Sequence, residues 1–571
     1  MKTLPILSLA ITLAACSTST PMPAKTIAKT PALSPGMVAA ANPHAVEAGV
    51  KILRDGGSAV DAAIAVQTVL GLVEPQSSGL GGGAFMVVYD PKTAKVWTYN
   101  GREAAPADIT PELFLDDEDQ PLRYFDGIAS GRSTGVPGVV VMLHKAHEDY
   151  GKLSWGPQME SAIKLADEGF VVSPRMADIV NRMSKYVLGR QTAAREYFFL
   201  EDGVTPIGEG FVRDNPAYAD TLRAIQNNPR ALLEGPIAAS IIDAVREEPF
   251  PGTLSREDMA NYQPKKREAL CSPYREYTIC GAQPPSSGGI AVNSILGTLS
   301  NFDMAAMGPS LEGWNHFIGA SFLGYADRDQ FVADDSFVEV PTQAMLDKDY
   351  LASRAALISP GAALLNVKAG NPKGFTRGKD ATPDSPGTSH FTVVDKDGLV
   401  VSMTTTVESA FGSQRMASGF MLNNQLTDFS FRTVDTNGQP IANAPAPGKR
   451  PRSSMSPSIV FDKDGEFLFS TGSPGGSSII AYTAKTIVGI LDWGLTPQEA
   501  IELPNVIARN GKVRLEDGKL GEEITSGLEN MGYEVVRSKG EISGLHIIYR
   551  NEDGSLTGGA DPRREGVATG L

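Results

Sequence analysis

The chain has 571 residues, 42% of them hydrophobic and 20% charged, which is the composition of an ordinary globular protein. Its 51 Lys and Arg residues against 66 Asp and Glu residues give a net charge of −15, which argues against a nucleic-acid-binding protein. At this length the chain can form one large domain or two closely associated halves. The sequence contains no P-loop, internal repeat or metal-ligand spacing, so neither a metal nor an organic cofactor is expected.

The first 15 residues have the pattern of an export signal. Lys2 precedes a largely apolar run over residues 4–15, which is too short to span a bilayer as a permanent helix. Leu13-Ala14-Ala15-Cys16 resembles a bacterial lipoprotein box, in which Cys16 is lipidated; the alternative is a plain signal peptide cut near Ala15. Residues 16–35 have the composition of a flexible tether. We therefore expect a periplasmic lipoprotein, with the outer membrane favoured, or a soluble periplasmic protein if Cys16 is not lipidated.

The first half of the chain carries mostly helical patterns. Ser58 and Asp61 form a capping-box pattern that begins a helix apolar on nearly every side, which predicts burial. The glycines at 79–83 resemble a dinucleotide fingerprint, but a helix precedes them and a strand follows, so they indicate close backbone packing instead. Helices are predicted at 44–57, 58–72, 138–149, 157–168, 173–185, 216–227, 237–246, 289–301 and 313–332, and strands at 85–89, 95–99 and 274–279.

The pattern changes after an exposed linker that is rich in Gly, Pro and Lys. This linker covers residues 361–387 and has a composition accessible to cleavage. The part of the chain that follows is rich in strands. Strands are predicted at 389–395, 398–407, 419–423, 457–462, 466–471, 533–537 and 544–550, and helices at 477–491 and 497–502.

Cys271 and Cys280 flank a short polar stretch. In an oxidising compartment they could form a disulfide across a hairpin, which would contribute up to about 3 kcal/mol; two unpaired buried thiols are the other interpretation. Neither interpretation makes them catalytic, because no His lies nearby in sequence to lower a thiol pKa.

The junction Gly387-Thr388-Ser389-His390 ends the linker and starts a strand. A Thr hydroxyl is a poor nucleophile without a neighbouring base. His390 is one candidate base, but no Gly-x-Ser-x-Gly motif accompanies it. Cleavage of the Gly387–Thr388 bond would free the α-amine of Thr388, whose ordinary pKa of about 7.7–8.0 allows it to accept the hydroxyl proton. We therefore predict self-cleavage here, with Thr388 as the first residue of a second subunit.

Several further motifs follow one another in a fixed order along the chain. Together they resemble the bacterial γ-glutamyltransferases (γ-glutamyltranspeptidases), which are N-terminal-nucleophile hydrolases made as self-cleaving precursors. The resemblance covers nearly everything after the tether and is carried by residues 59–63, 79–83, 101–106, 284–289, 325–328, 387–390, 422–425, 449–457 and 472–477. It implies an α+β fold, a four-layer αββα sandwich, with a signal segment at 1–15, a tether at 16–35, a large subunit at 36–387 and a small catalytic subunit at 388–571.

The resemblance also implies roles for individual residues. Thr388 would be the nucleophile, Thr406 would hydrogen-bond it, and the backbone N–H groups of Gly475 and Gly476 would hold the oxyanion. Arg102 would bind the α-carboxylate of a glutamyl group, together with Ser453 and Ser454. The acceptors for its α-ammonium would be Glu408, Gln425 and Asp428.

These roles predict a γ-glutamyltransferase with glutathione hydrolase activity. Thr388 would take a γ-glutamyl group as an ester and pass it to water or to an amino acid or peptide amine. Two features depart from the family pattern: Ser389 stands where Thr is frequent, and Glu408 where several members have Asn. The lid segment 431–448 has no Tyr or Trp, which favours access of water and therefore hydrolysis.

Two alternatives remain open from the sequence. A β-lactam side-chain (glutaryl) acylase would use the same chemistry but would not need the ammonium-binding residues. A tethered binding lipoprotein without catalytic activity would stay as one uncut chain.

Overall fold

Two antiparallel sheets lie face to face at the centre of the protein. The computed structural model describes residues 36–383, 387–539 and 543–571, so the export segment, the tether and Cys16 lie outside the described residues. Within these ranges the first sheet has the strand order β20 (Val567–Gly570), β1 (Met37–Ala40), β9 (Thr388–Val394), β10 (Val400–Thr406), β2 (Gly83–Asp90), β3 (Lys95–Asn100) and β6 (Lys265–Glu268). The second has the order β19 (Leu556–Ala560), β18 (His546–Arg550), β14 (Phe467–Gly472), β13 (Ser458–Phe461), β8 (Tyr277–Gly281) and β7 (Leu270–Tyr274).

Helices cover the outer face of each sheet. The first layer shares a hydrophobic core with strands β9 and β10, and its helices are α1 (Pro43–Arg54), α2 (Ala59–Val73), α4 (Val139–Tyr150), α5 (Glu160–Glu168), α6 (Pro174–Met183), α7 (Thr192–Phe198), α8 (Pro216–Asn227), α9 (Gly235–Arg246) and α10 (Arg256–Asn261). The short helix α3 (Tyr124–Ile128) packs instead on a smaller cluster that contains Phe114 and Phe431. The helices that follow, in part packed on the second sheet, are α11 (Gly288–Leu299), α12 (Met304–Met307), α13 (Leu311–Phe331), α14 (Thr342–Met345), α15 (Lys348–Ala355), α16 (Ile479–Leu491), α17 (Pro497–Glu502) and α18 (Glu522–Met531). The layers are therefore αββα, as the resemblance implied.

The alternation of side chains along β9 explains this layering. Phe391 and Val393 join the core between the first sheet and its helices, whereas Val394 joins the core between the two sheets. On the same inner face, Thr392 hydrogen-bonds Ser470 of the second sheet. The period of two residues therefore directs one set of side chains to each face, as the sequence predicted.

Helix α2 shows why the predicted helices form where they do. The Ser58 hydroxyl accepts from the Asp61 N–H at 3.1 Å, and the Asp61 carboxylate accepts from the Ser58 N–H at 2.8 Å, so the predicted capping box is confirmed. Every residue of the helix is buried, and it ends at Val73, with Glu74 as its C-cap.

The prediction of one strand over residues 274–279 is wrong. Strands β7 and β8 form a hairpin instead, and the chain turns at Arg275, where φ is +54°. The charged residues Arg275 and Glu276 form this turn, and the prediction missed it because Tyr274 and Tyr277 on either side are typical of strands. The register places Cys271 opposite Cys280, with their sulfurs 2.00 Å apart in a disulfide.

Several small elements were predicted only in part, since the predicted strands at 533–537 and 419–423 overlap two of them and the others have no counterpart. A third sheet pairs β15 (Val506–Arg509) with β16 (Lys512–Glu516) and β16 with β17 (Glu534–Ser538). Two short ribbons pair β4 (Phe170–Val171) with β5 (Val212–Arg213), and β11 (Met416–Ala417) with β12 (Phe420–Met421). Over the described ranges, no helix combines the length and the apolar character needed to cross a membrane.

Candidate active site

One cavity collects nearly all of the predicted site residues. Its lining comprises Arg102, Arg328, Thr388, Thr406, Glu408, Gln425, Asp428, Arg452, Ser453, Ser454, Met455, Gly476, Ser477 and Ile479. Of the residues predicted for catalysis and binding, Gly475 alone is not among these lining residues, and it directly precedes Gly476. The cavity therefore brings together groups from distant parts of the chain that the sequence could assign only by resemblance.

The Thr388 hydroxyl lies beside that of Thr406 because the two residues face each other in the register of β9 and β10. Thr388 Oγ1 donates to Thr406 Oγ1 at 3.3 Å, and the Glu408 N–H donates to the same oxygen at 2.7 Å. Thr406 Oγ1 in turn donates to the carbonyl oxygen of Gly387 at 2.6 Å. A hydroxyl has one proton and two lone pairs, so the Thr406 hydroxyl uses its full hydrogen-bonding capacity here.

Gly387 packs too tightly against the chain for any side chain. A Cβ atom at this position would lie 2.2 Å from the carbonyl oxygen of Glu408. The Gly387–Thr388 peptide is therefore held against the 408–409 backbone, and the Thr406 hydroxyl polarises its carbonyl.

A buried ionic cluster that the sequence did not predict lies behind Thr388. Arg564 Nη1 donates to the carbonyl oxygen of Thr388 at 2.8 Å. The Ser389 hydroxyl donates to Glu74 at 2.9 Å, and Glu74 pairs with Arg175 at 2.8 Å. Burial, with repulsion from Arg175, lowers the pKa of Arg564 to about 9. The cluster therefore holds the backbone of Thr388 and the side chain of Ser389 at the start of strand β9.

His390 is not placed to act as the base. Its Nδ1 is 2.9 Å from the hydroxyl of Thr404, the residue paired with it across β9 and β10. Burial and the nearby His546 lower the pKa of His390 well below its ordinary value. The α-amine that cleavage would free on Thr388 therefore remains the predicted base.

Gly475 and Gly476 turn the chain from β14 into helix α16. Their φ angles are +134° and +57°, and a Cβ atom on Gly475 would lie 2.6 Å from the Tyr482 ring. A side chain is therefore excluded at Gly475 by both conformation and space. The N-terminal end of a helix presents backbone N–H groups and favours negative charge. Tyr325 supports this turn through a 2.5 Å hydrogen bond to the carbonyl oxygen of Ser477.

Arg102 is held rigidly at the other end of the cavity. Its Nε donates to the carbonyl oxygen of Pro451 at 3.1 Å, and its Nη2 donates to that of Arg452 at 2.7 Å and to the Asp428 carboxylate. The pairing of Arg102 with Asp428 was not predicted. It places a fixed cation directly beside an anion, which complements the carboxylate and ammonium on one α-carbon.

Gln425 and Glu408 add acceptors next to Asp428. Gln425 Nε2 donates to Asp428 at 2.7 Å, and its Oε1 is buried without a hydrogen-bond partner among the residues that the structure describes. The Glu408 carboxylate is held by Ser409 at 2.7 Å and by Asn424, and its backbone has a φ of +82°. A non-glycine residue in this conformation is strained, as is common at functional sites.

Glu103 is a buried acid within the motif at 101–106, and no role was predicted for it from the sequence. Its side chain is fully buried beside Arg102, whose Nη1 is 4.0 Å away. In the described part of the chain neither of its carboxylate oxygens has a hydrogen-bond partner. Burial raises the pKa of Glu103 to about 8, against the opposing effect of Arg102. The acid is therefore largely protonated at neutral pH.

Ser453 and Ser454 form the wall between the two ends of the cavity. The Ser453 N–H donates to the carbonyl oxygen of Pro285 at 2.9 Å, and Ser287 donates back to the carbonyl oxygen of Ser453 through its hydroxyl at 2.6 Å. Ser454 Oγ accepts from Arg328 at 2.5 Å. The sequence did not predict Arg328 and Arg452 as site residues. Arg328 lies on helix α13, and only the tertiary structure brings that helix to this wall.

The segment expected to cover the pocket packs on the linker that precedes the junction. The Gly378 N–H donates to the carbonyl oxygen of Pro440 at 2.9 Å, and the Phe431 N–H donates to the Thr382 hydroxyl at 3.1 Å. Asn443 donates to the carbonyl oxygen of Asp428 at 2.6 Å. The segment 431–448 is thereby connected both to the linker and to the ammonium end of the cavity.

A four-layer αββα sandwich with a threonine at the start of a central strand defines the N-terminal-nucleophile type of hydrolase. A solved structure with the same fold is the cephalosporin acylase from Bacillus halodurans, which superposes with a TM-score of 0.82 at 26% identity and covers 98% of this chain and 99% of its own.

The sequence comparisons narrow this class. Residues 45–571 match the family model described as Gamma-glutamyltranspeptidase. The glutathione hydrolase proenzyme of Bacillus subtilis (strain 168) is 35% identical over 552 residues, which are 94% of this chain and 91% of that protein. The glutathione hydrolase proenzyme of Escherichia coli (strain K12) is 36% identical over 538 residues, 92% of this chain and 90% of that protein. The chain belongs to the gamma-glutamyltranspeptidase family.

Proposed function

We propose that this protein is a γ-glutamyltransferase with glutathione hydrolase activity, with Thr388 as its nucleophile. The observation that carries the proposal is the single cavity with a threonine pair at one end and the Arg102–Asp428 pair at the other. The first suits attack on an amide carbonyl, and the second suits the α-carboxylate and α-ammonium of a glutamyl group. The relatives named glutathione hydrolase proenzyme support the same activity.

The first step is self-cleavage. The Thr388 hydroxyl attacks the carbonyl carbon of Gly387, while the Thr406 hydroxyl stabilises the charge that develops on the carbonyl oxygen. The C–N bond breaks, the Thr388 nitrogen takes a proton, and Gly387 is transferred to the Thr388 oxygen as an ester. Water hydrolyses that ester, which leaves a carboxylate on Gly387 and a free α-amine on Thr388. The products are the large subunit ending at 387 and the small subunit 388–571, which stay associated because strands from both form the first sheet.

The second step uses the freed amine. It accepts the Thr388 hydroxyl proton as Oγ1 attacks the γ-carbonyl of a donor such as glutathione. The backbone N–H groups at Gly475 and Gly476 stabilise the oxyanion, a contribution of about 2.7–4 kcal/mol for one donor. The leaving amine takes the proton, and the γ-glutamyl ester on Thr388 is then transferred to water or to an acceptor amine.

Intact-mass analysis of the purified protein tests the proposal. The parent chain should give two fragments separated at Gly387–Thr388, and Thr388→Ala should give one uncut, inactive chain. Thr388→Ser is the matched control, because it retains the hydroxyl and should still cleave. The parent should hydrolyse γ-glutamyl-p-nitroanilide, and a glutamine-analogue electrophile should label Thr388. A continuous chain that is fully active on glutathione would refute this mechanism, and an uncut, unlabelled chain would instead support the binding lipoprotein.

A β-lactam side-chain acylase is the second candidate, favoured by the fold shared with the cephalosporin acylase from Bacillus halodurans. Such an enzyme has no ammonium to bind, whereas this cavity places Gln425 Oε1, Asp428 and Glu408 beside Arg102. We therefore expect γ-glutamyl-p-nitroanilide to be a much better donor than glutaryl-p-nitroanilide. The reverse preference would establish the acylase.

The N-terminal residues support a second part of the proposal, that the protein is exported and lipidated at Cys16. Lipidation is supported by Leu13-Ala14-Ala15-Cys16, which resembles a lipoprotein box, and the lipid would provide the membrane anchor. Expression with a labelled fatty acid in a Gram-negative host should label the parent and not Cys16→Ser. Labelling of both chains would refute lipidation at this residue.

A further inference from the structure

Arg328 belongs to a motif, residues 325–328, that carried part of the family resemblance but received no role. It lies in the last turn of helix α13, is 2% exposed, and lines the cavity beside Ser454. We propose that Arg328 is a positioning residue that fixes the Ser454 hydroxyl as a hydrogen-bond donor to the carboxylate end of the donor substrate. This inference rests on the proposed function and concerns the same cavity.

The hydrogen bonds of Arg328 determine the direction of the Ser454 proton. Arg328 Nη2 is 2.5 Å from Ser454 Oγ, and a guanidinium can only donate, so the serine oxygen must accept. The hydroxyl proton must then point away from Arg328. Within the described ranges no protein acceptor for this proton is found, and the hydroxyl borders the cavity. Ser454 is therefore prepared to donate to a ligand oxygen.

The same guanidinium also fixes the backbone of the wall. Arg328 Nε donates to Ser287 Oγ at 3.0 Å, and Ser287 Oγ donates to the carbonyl oxygen of Ser453 at 2.6 Å. The Nη1 atom of Arg328 pairs with Asp329 at 2.6 Å. All three nitrogen atoms of the Arg328 guanidinium therefore have partners at the same time. A lysine ammonium is a point charge on a flexible stem and cannot reproduce this geometry.

The charge around this wall favours an anion. Asp329 lies close to Arg328, Arg452 and Arg509, and a second carboxylate, Asp380, pairs with Arg452 at 2.8 Å. Burial alone would raise the pKa of Asp329, but the three guanidinium groups hold it well below its ordinary value. Of these five groups, Arg328 and Arg452 line the cavity, whereas Asp329, Asp380 and Arg509 are not among its lining residues. The wall therefore complements a carboxylate, and Gln425 with Asp428 provides acceptors for an ammonium in the same cavity.

Three donors with the same leaving group separate this role from a structural one. γ-Glutamyl-p-nitroanilide has both end groups, glutaryl-p-nitroanilide has only the carboxylate, and 4-aminobutyryl-p-nitroanilide has only the ammonium. For Arg328→Met we expect kcat/KM to fall about 10- to 100-fold on the first two donors, mostly through a higher KM, and less than about 3-fold on the third. Arg328→Lys should show the same selective loss, and it keeps the test available if the methionine variant does not fold.

Arg509→Met is the matched control. Arg509 shares Asp329 with Arg328, at 3.3 Å, but is not among the residues that line the cavity. We expect it to lower the temperature of unfolding without changing the ratio of kcat/KM between the donors. In a Ser454→Ala background, Arg328→Met should cause less than about a 3-fold further loss on γ-glutamyl-p-nitroanilide, because the proposed effect of Arg328 on the substrate passes through the Ser454 hydroxyl.

Equal losses on all three donors, or losses that add fully to those of Ser454→Ala, would overturn the role of Arg328 and leave the proposed function intact. Binding of L-glutamate, measured by calorimetry, provides a second readout. We expect Arg328→Met to weaken it and to leave the binding of 4-aminobutyrate unchanged. A parent protein that neither turns over the γ-glutamyl donor nor binds glutamate would overturn both proposals.

Discussion

The hydroxyl of Thr406 offers the sharpest test of the self-cleavage step. Thr406→Val removes this hydroxyl and preserves the shape of the side chain. The change leaves the Glu408 N–H without its 2.7 Å acceptor and the Gly387 carbonyl without its 2.6 Å donor. A buried donor left unpaired costs about 1–3 kcal/mol of folding free energy. That loss lowers stability in the precursor but does not by itself slow the reaction.

The rate of self-cleavage depends on the contact between the Thr406 hydroxyl and the Gly387 carbonyl. The Gly387 carbonyl oxygen gains negative charge when Thr388 attacks, so the Thr406 donor is worth more in the transition state than in the ground state. Loss of one such donor typically raises the barrier by about 2.7–4 kcal/mol, which slows a reaction about 10²- to 10³-fold. We therefore expect Thr406→Val to remain mostly uncut after the parent has cleaved completely.

The assay follows intact mass over time in freshly purified precursor and fits one first-order rate for each variant. Thr406→Ser keeps the hydroxyl and should cleave within about 10-fold of the parent rate, since only a methyl group is lost. A circular-dichroism spectrum should show that Thr406→Val is folded. Cleavage of folded Thr406→Val within about 3-fold of the parent rate would show that this hydroxyl does not stabilise the reacting carbonyl.

Three further changes test other parts of the site. Asp428→Asn should reduce kcat/KM at least about 100-fold on γ-glutamyl-p-nitroanilide and far less on glutaryl-p-nitroanilide. The change removes the negative charge that faces the ammonium and that pairs with Arg102. Equal losses of kcat/KM on the two donors would contradict this. Gly475→Ala should impair hydrolysis and stability more than Gly476→Ala, because φ is +134° and Tyr482 blocks a Cβ atom at the first position; steady-state rates and unfolding temperatures of both variants check the order. Burial raises the pKa of Glu103 from 4.5 to about 8, so the folded protein binds this proton more tightly than the unfolded chain does. The stability that Glu103 contributes is therefore fully present below pH 4.5 and is lost as the pH rises to about 8. Glu103→Gln should reduce this decrease by several kcal/mol, at about 1.4 kcal/mol per pKa unit, and denaturant titrations that show the same pH slope for both proteins would exclude the effect.

Much of the fold could be predicted because its signals are local. The capping box at Ser58 and Asp61, the alternation along Thr388–Val394 and the glycine-rich entrance to helix α16 each involve residues a few positions apart. The single strand predicted over 274–279 was wrong, because the turn at Arg275 and Glu276 is only two residues long and lies between the strand-forming residues Tyr274 and Tyr277. The short strands at 506–509 and 512–516 were missed for a related reason, since four or five residues give little periodicity.

The active site was likewise predictable only in part. The sequence indicated the Gly387–Thr388 junction by its linker, and the resemblance supplied Thr406, Arg102 and Asp428 as separate residues. Their contacts were not predictable. Arg102 and Asp428 are separated by 326 positions, and Arg564 reaches Thr388 across 176.

The sequence by itself determined the layered fold, the family and the residue placed at the start of the central strand, because periodicity, turn chemistry and ordered motifs are properties of neighbouring residues. Only the tertiary structure decided how the charges are paired. It placed Arg328 on Ser454, the Thr406 hydroxyl on the Gly387 carbonyl, and Glu103 in an environment that favours its protonated form. These outcomes depend on desolvation and on distances between segments that the folding of two sheets brings together, and no local pattern encodes them.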